Sequence, residues 1–201
     1  MNHIIISTEH IPGVMDGRIT QARRMIRPRF RADEGGFTVR EKNDKRIILK
    51  HDLAGNLFPI PRYVGCPYGN VGNRLAVREM IFGVPGEGAW YAADGAAVMI
   101  GDRPFIMGGL CSILPAKFIP AEASRITLEV IGVRVQQLHE MTAGDARAEN
   151  GMPPISTELF PDGNEFLTVG RWQKEWSEIH ATRDMAMELD PWCWVVSFER
   201  I

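Results

Sequence analysis

Cysteine is scarce in this 201-residue chain, and the three present, Cys66, Cys111 and Cys193, are odd in number and far apart. No CxxC pair occurs and no two histidines sit at zinc-ligand spacing, which argues against a disulfide framework and against a structural zinc site. Isolated thiols in odd number fit the reducing cytosol. Long apolar runs are missing too. No stretch approaches the roughly 20 residues of a membrane span, and Met1 to His10 lacks the basic stretch and apolar run of a signal peptide. The expectation is a soluble cytoplasmic protein with no membrane partner, no metal and no cofactor.

Several signatures of known chemistry are also lacking. There is no phosphate-cradling P-loop, no GxSxG and no HExxH. Neither an internal repeat nor a low-complexity segment is found. The five histidines (His3, His10, His51, His139, His180) are scattered, and each reads as an ordinary surface or core residue rather than a ligand.

What is present is an ordinary globular composition, 45% hydrophobic and 24% charged, enough to bury a core. The length suits one domain over residues 1–201, with insertions expected near 31–61 and 151–170. A net charge of −2 identifies no partner, but its distribution is uneven. Gly17 to Lys50 holds 11 Lys/Arg against 4 Asp/Glu, and Glu140 to Ile201 holds 5 against 12. Such asymmetry allows a basic face that attracts phosphate, or two ends that neutralise each other.

Local patterns predict strands more often than helices. Ile4 to Ser7, Leu75 to Glu79 and Pro191 to Phe198 read as strands. So does Ser124 to Val135, where Ile126, Leu128 and Val130 share a face and Gly132 marks a bulge before Val133 and Val135. Gly36 to Leu49 reads as a hairpin, and Val84 to Gly109 as loops around short strands. His10 to Asp16 reads as a short helix stopped at Gly17. Thr142 to Asn150 reads as a second, with Thr142 as N-cap, Asp145 completing a capping-box variant and Gly151 as the stop. In Arg171 to Ile179 the spacing of Trp172, Trp176 and Ile179 predicts another. Arg18 to Ile26 is basic and polar, ending before Pro28.

Two clusters carry the functional signal. Arg18, Arg23, Arg24, Arg27, Arg29 and Arg31 crowd one short stretch, and the planar guanidinium fork matches phosphate oxygens. A solvated, ion-paired face is the alternative. Trp172, Trp176, Trp192 and Trp194 could stack a base, although their spacing more often signals core packing. Glu149, at a helix end beside a glycine turn, is a candidate general base.

Read together, several segments resemble the ASCH-domain family, especially its long phage and prophage members. They are Gly17-Arg18-Ile19-Thr20-Gln21-Ala22-Arg23-Arg24, Cys66-Pro67-Tyr68-Gly69 through Leu75-Ala76-Val77-Arg78-Glu79, Ala123 to Val130, Asp145-Ala146-Arg147-Ala148-Glu149-Asn150-Gly151, and Pro191 to Phe198. The resemblance implies an α+β fold: a PUA-like mixed β-barrel with a few short helices and long insertions. Some small members of that family hydrolyse 4-acetylcytidine with a lysine, a threonine and a glutamate. In this chain the lysine position is Ile19, the threonine position is Ala22, and the glutamate is Glu149. Ile19 carries no proton and Ala22 no hydroxyl, so loss of that amidohydrolase activity is expected. Further departures are Asn73 and Ala76 where aspartate and tryptophan are usual, and Ala121-Glu122 before the Ala123-Ser124-Arg125-Ile126 segment.

Three functional readings stay open at this stage. The first is a module that binds nucleic acid (RNA above all) or a modified nucleotide, with Arg18, Arg23 and Arg24 at the mouth of a cleft and Thr20, Gln21, Arg78 and Glu149 as its polar lining. The second is a hydrolase for a modified nucleoside with Glu149 as base. The third is a phage protein that binds another protein through its insertions.

Overall fold

The computed structural model describes residues 2–26, 37–42, 45–51, 57–59, 65–108, 112–152, 164–180 and 190–201. The strands are β1 Asn2–Ile5, β2 Gln21–Met25, β3 Phe37–Lys42, β4 Lys45–His51, β5 Leu57–Pro59, β6 Arg74–Arg78, β7 Ile81–Val84 and β8 Gly88–Tyr91. They continue with β9 Met99–Ile100, β10 Arg103–Pro104, β11 Ile113–Leu114, β12 Thr127–Gln137 and β13 Trp192–Arg200. The helices are α1 Ile11–Met15, α2 Ala143–Asn150 and α3 Asn164–His180. The fold is mixed α+β.

Five strands form the main sheet in the order β1-β6-β12-β13-β2. Only β1 and β6 run parallel; the other neighbours are antiparallel. The expected mixed β-barrel is not closed among the described residues: β1 and β2, the two edge strands, share no ladder. A side chain spans the gap instead: Arg24 Nη2 on β2 donates to the Ile5 carbonyl of β1 at 2.5 Å. The barrel is left open where the two edges approach.

β12 supplies the centre of this sheet. Ile126, just before it, and Leu128, Val130 and Val133 within it are buried, and the register against β13 shifts between Val130 and Gly132. The bulge keeps apolar side chains pointing inward on both sides of the irregularity. The principal core gathers these with Ile4, Ile11, Leu75, Trp194 and Phe198. At roughly 1.5–3 kcal/mol per fully buried large apolar side chain, this cluster dominates the stabilisation of the sheet.

The antiparallel strands β11-β7-β8 form a second sheet over a second core that includes Ile81, Tyr91, Val98 and Ile119. Arg125 grips Glu79 with two bonds of 2.9 and 2.8 Å and lies over the Tyr91 ring at 3.9 Å. This contact joins the segment before β12 to the end of β6. Glu79 is only 2% exposed, so the bidentate partner is what makes its burial tolerable.

Helix α2 ends as its residues dictate. The Thr142 hydroxyl accepts from the Asp145 amide at 3.1 Å while the Asp145 carboxylate accepts from the Thr142 amide at 3.2 Å. Gly151, at φ 59° and ψ 23°, closes the C-terminus, a left-handed position where glycine carries no Cβ penalty. Helix α3 starts at Asn164, inside the 151–170 range expected to be insertion and several residues before the predicted start at Arg171; its 17 residues also make it longer than the short helices expected. In the 31–61 range, β3, β4 and β5 pair antiparallel as a separate sheet in the order β3-β4-β5, consistent with the hairpin expected there. No helix among the described residues is long and apolar enough to cross a membrane.

Candidate functional site

The cleft lies where the sheet fails to close. A cavity of about 850 Å³ is lined by Ile5 and Ile6 after β1, by Gln21 to Met25 of β2, by Glu149 of α2 and by Trp172 and Trp176 of α3. Ile19, Tyr68 and Trp194 also face it. That volume falls within the roughly 300–1,000 Å³ of small-molecule sites.

From its sequence, strand β2 reads as a polar, basic stretch. It is in fact the edge strand of the main sheet, with Gln21, Ala22 and Arg23 all buried. Backbone contacts fix its start: the Thr20 amide donates to the Ala148 carbonyl of α2 at 2.9 Å, and the Thr20 carbonyl accepts from the Phe198 amide of β13 at 2.8 Å. Ile19 is seated against the backbone of two glycines. A Cβ on Gly13 would come within 2.8 Å of its side chain, and one on Gly151 within 3.0 Å.

Arg23 and Glu149 form the polar floor. Arg23 is 2% exposed, and its Nη1 lies 3.1 Å from Glu149 Oε1. Its Nη2 donates to Gln136 Oε1 at 2.8 Å and lies 3.7 Å from Asp145 Oδ2. Glu149 Oε1 also accepts from Gln21 Nε2 at 3.1 Å, and Oε2 accepts from the Trp172 indole at 3.1 Å. The Arg23 guanidinium lies 5.5 Å from the centroid of the same Trp172 ring, and Trp172 stacks on Trp176 at 5.1 Å. Gln21 reaches Asp145 Oδ1 at 3.2 Å and accepts from Arg134 Nη1 at 3.1 Å, while Arg134 also pairs with Asp145.

Burial pushes the Glu149 carboxyl above its ordinary range, opposed first by the charge of Arg23 and then by the Gln21 bond. Asp145 is held below the usual carboxylate range: bonds from Thr142 and Gln21 and the charge of Arg134 outweigh its own burial. Glu149 has donors on both oxygens and serves as an anchored acceptor. Arg23 is less complete. Its Nε has no hydrogen-bond partner among the described residues, and its Nη1 faces Glu149 at ion-pair distance outside hydrogen-bond geometry. A buried donor left without an acceptor costs about 1–3 kcal/mol.

The sequence-predicted residues divide into two groups. Gln21, Arg23, Arg24 and Glu149 meet at the cavity. Arg24 bonds the backbone carbonyls of Ile5 and Arg23 and pairs with no carboxylate among the described residues. Arg18, Thr20 and Arg78 do not line the cavity. Arg18 turns back on its neighbour Asp16, with Nη2 to Oδ2 at 2.7 Å and its side chain 60% exposed. Thr20 contributes backbone bonds. Arg78 sits on β6, near His3 and the Lys117 carbonyl, each at 3.4 Å. Arg27, Arg29 and Arg31 lie outside the described residues.

Ile19 and Ala22, the positions where the resembled amidohydrolases carry lysine and threonine, both line the cavity beside Glu149. Among the tryptophans, Trp172, Trp176 and Trp194 are core residues that also form part of the cavity wall. Sequence reasoning missed Ser7, His10, Asn150 and Glu175, which line it too. Among the described residues, no cluster of His, Cys, Asp and Glu has the make-up of a metal site.

No family model matches the chain, and no curated protein matches it. Among solved structures it is similar to the crystal structure of protein EF3133 from Enterococcus faecalis V583, of family model DUF984. That similarity has a TM-score of 0.40 at 11% identity, covering 100% of this chain and 80% of the other.

Proposed function

We propose that this chain is a PUA-like module of the ASCH type that holds a nucleotide, free or at the end of an RNA strand, in the cleft between β1 and β2, without the 4-acetylcytidine hydrolysis of its small relatives. The observation that carries this reading is Arg23: a nearly fully buried guanidinium at the cavity wall with a donor lacking an acceptor. The Arg23 side chain is 0% exposed, so the wall must open over it for a base carbonyl or phosphate oxygen to supply that acceptor, which converts an unmet donor into a charge-assisted bond.

The rest of the lining suits the same ligand. Tyr68, half-buried at the cavity, offers ring surface to a planar base and is backed by the buried Trp172, Trp176 and Trp194; base–aromatic contact stabilises by roughly 1–3 kcal/mol per base. Arg24, bonded to two carbonyls and to no described carboxylate, retains its charge for a phosphate at the mouth. Catalysis through the relatives' route lacks its parts, because Ile19 and Ala22 supply neither proton carrier nor hydroxyl and Glu149 is occupied by Gln21, Arg23 and Trp172.

Titrating the chain with cytidine monophosphate and a short single-stranded RNA, followed by tryptophan fluorescence, tests the proposal. Saturable quenching that weakens with added salt supports it. Absence of binding rejects it and favours a scaffold for a protein partner, whose expected contact regions at 31–61 and 151–170 fall about half outside the described residues.

A further inference from the structure

A second polar group lines the cleft, and nucleotide binding makes no use of it. Ser7 Oγ lies 3.0 Å from His10 Nδ1. The other ring nitrogen, Nε2, lies 3.2 Å from Glu175 Oε1. Glu175 Oε2 in turn accepts from Asn150 Nδ2 at 2.6 Å. All four residues face the cavity.

They come from three separate parts of the fold. Ser7 and His10 flank a single turn between β1 and α1, Asn150 is the last residue of α2, and Glu175 lies on α3. The packing of α2 on α3 therefore holds the carboxylate, and the carboxylate holds the ring. A neutral imidazole with its proton on Nε2 satisfies both contacts, donating to Glu175 and leaving the Nδ1 lone pair to accept the Ser7 proton. Nucleophile, base and orienting carboxylate in this sequence of contacts are what activates a hydroxyl for acyl transfer.

We propose that Ser7, His10 and Glu175 form a nucleophile–base–carboxylate array that makes this cavity a hydrolase site for acyl esters. Ser7 Oγ bonds to the ester carbonyl carbon as its proton passes to His10 Nδ1. The C–O bond to the leaving group then breaks, and that proton goes to the departing oxygen, giving an alcohol and an acylated Ser7. Water adds to the acyl carbon next, with His10 taking its proton and returning it to Ser7 Oγ as the carboxylic acid leaves. Arg24, which lines the same cavity and grips the carbonyl of Ile5 two residues before Ser7, is the cation at hand for the transient oxyanion. Glu175 acts as a positioning residue and touches no substrate. The apolar wall of Ile5, Ile6 and Trp176 selects esters with an apolar acyl or alcohol part.

The test is covalent labelling of the native chain with an alkyl fluorophosphonate, mapped by peptide mass spectrometry. The expected result is phosphonylation of Ser7. Labelling should be absent in Ser7→Ala, slowed roughly 100-fold in His10→Gln, slowed in Glu175→Gln and restored by Glu175→Asp, which keeps the carboxylate. An unlabelled Ser7, or one labelled at the same rate in His10→Gln, overturns the proposal. Ser7 is exposed, so Ser7→Ala should keep the native melting midpoint. Titrating the unlabelled native chain with cytidine monophosphate in parallel separates failure of the ester site from failure of the nucleotide site.

Discussion

Arg23 of β2 and Glu149 of α2 face each other at 3.1 Å with side chains 0% and 7% exposed, an ion pair sealed between a sheet edge and a helix end. Taking two charges out of water is costly, and the attraction repays it only while both partners are present. Arg23→Met should therefore destabilise the chain by about 3–5 kcal/mol, because Glu149 would stay buried without its cation. The double variant Arg23→Met/Glu149→Leu should recover a large part of that loss. Urea denaturation of the four chains measures it as a double-mutant cycle.

Cys193 lies beneath α2 and α3 with no exposed surface, and burial pushes its thiol from 9.0 up to about 12. Iodoacetamide at pH 8 should leave Cys193 unmodified in the native chain and alkylate it in urea, as peptide mass spectrometry would show. The sign of the linked stability follows. A folded-state value above the unfolded one favours the native chain below pH 9, and this contribution is lost as pH rises from about 9 to about 12. Relative to Cys193→Ala, the native chain should lose stability across that window.

Gly151 both ends α2 and gives room to Ile19. Alanine there meets two penalties, a left-handed φ of 59° and a Cβ 3.0 Å from Ile19 Cγ1. The left-handed conformation alone costs roughly 1 kcal/mol, and the added contact strains the cavity wall. Gly151→Ala should lower the thermal midpoint and weaken nucleotide binding together, read by calorimetry and fluorescence titration on the same sample.

What the sequence makes legible here is mostly what is local. The α2 cap pairs Thr142 with Asp145 three positions on, and the β12 bulge follows from an apolar pattern that slips at Gly132, so neighbouring residues suffice to read both. Strand β2 was not readable in this way. Gln21, Arg23 and Arg24 give no apolar alternation; Gln21 and Arg23 are buried and Arg24 half-buried only because Glu149, Asp145 and the Ile5 carbonyl meet them from elsewhere in the fold, and Gln21 and Glu149 are 128 positions apart. A longer separation still hides Glu175 from His10. Arginine density overstated the site for the opposite reason. Arg18 satisfies itself with Asp16 two residues away, and Arg78 is carried off by the parallel pairing of β6 with β1. Among the described residues β1 and β2 share no ladder, and the Arg24 bond to the Ile5 carbonyl that bridges them is a side-chain contact that no strand pattern encodes.

Incubated with 4-acetylcytidine, the native chain should release no acetate above buffer, since Ile19 and Ala22 stand where the amidohydrolases it resembles carry lysine and threonine, and both oxygens of Glu149 are engaged. Chromatography of the nucleoside pool measures this. Turnover by the native chain that disappears in Glu149→Gln would mean that Glu149 acts as a base despite its bonds. Turnover by Ile19→Lys/Ala22→Thr alone would fit a decayed hydrolase.

The most direct test of the proposed nucleotide cleft compares cytidine with cytidine monophosphate by tryptophan fluorescence at low salt and at about 0.5 M salt, where charges are screened beyond a few ångströms. Tighter binding of the monophosphate is predicted, with an advantage that shrinks at high salt and vanishes in Arg24→Met. Equal affinities for the two ligands, or an advantage untouched by both salt and Arg24→Met, would contradict it.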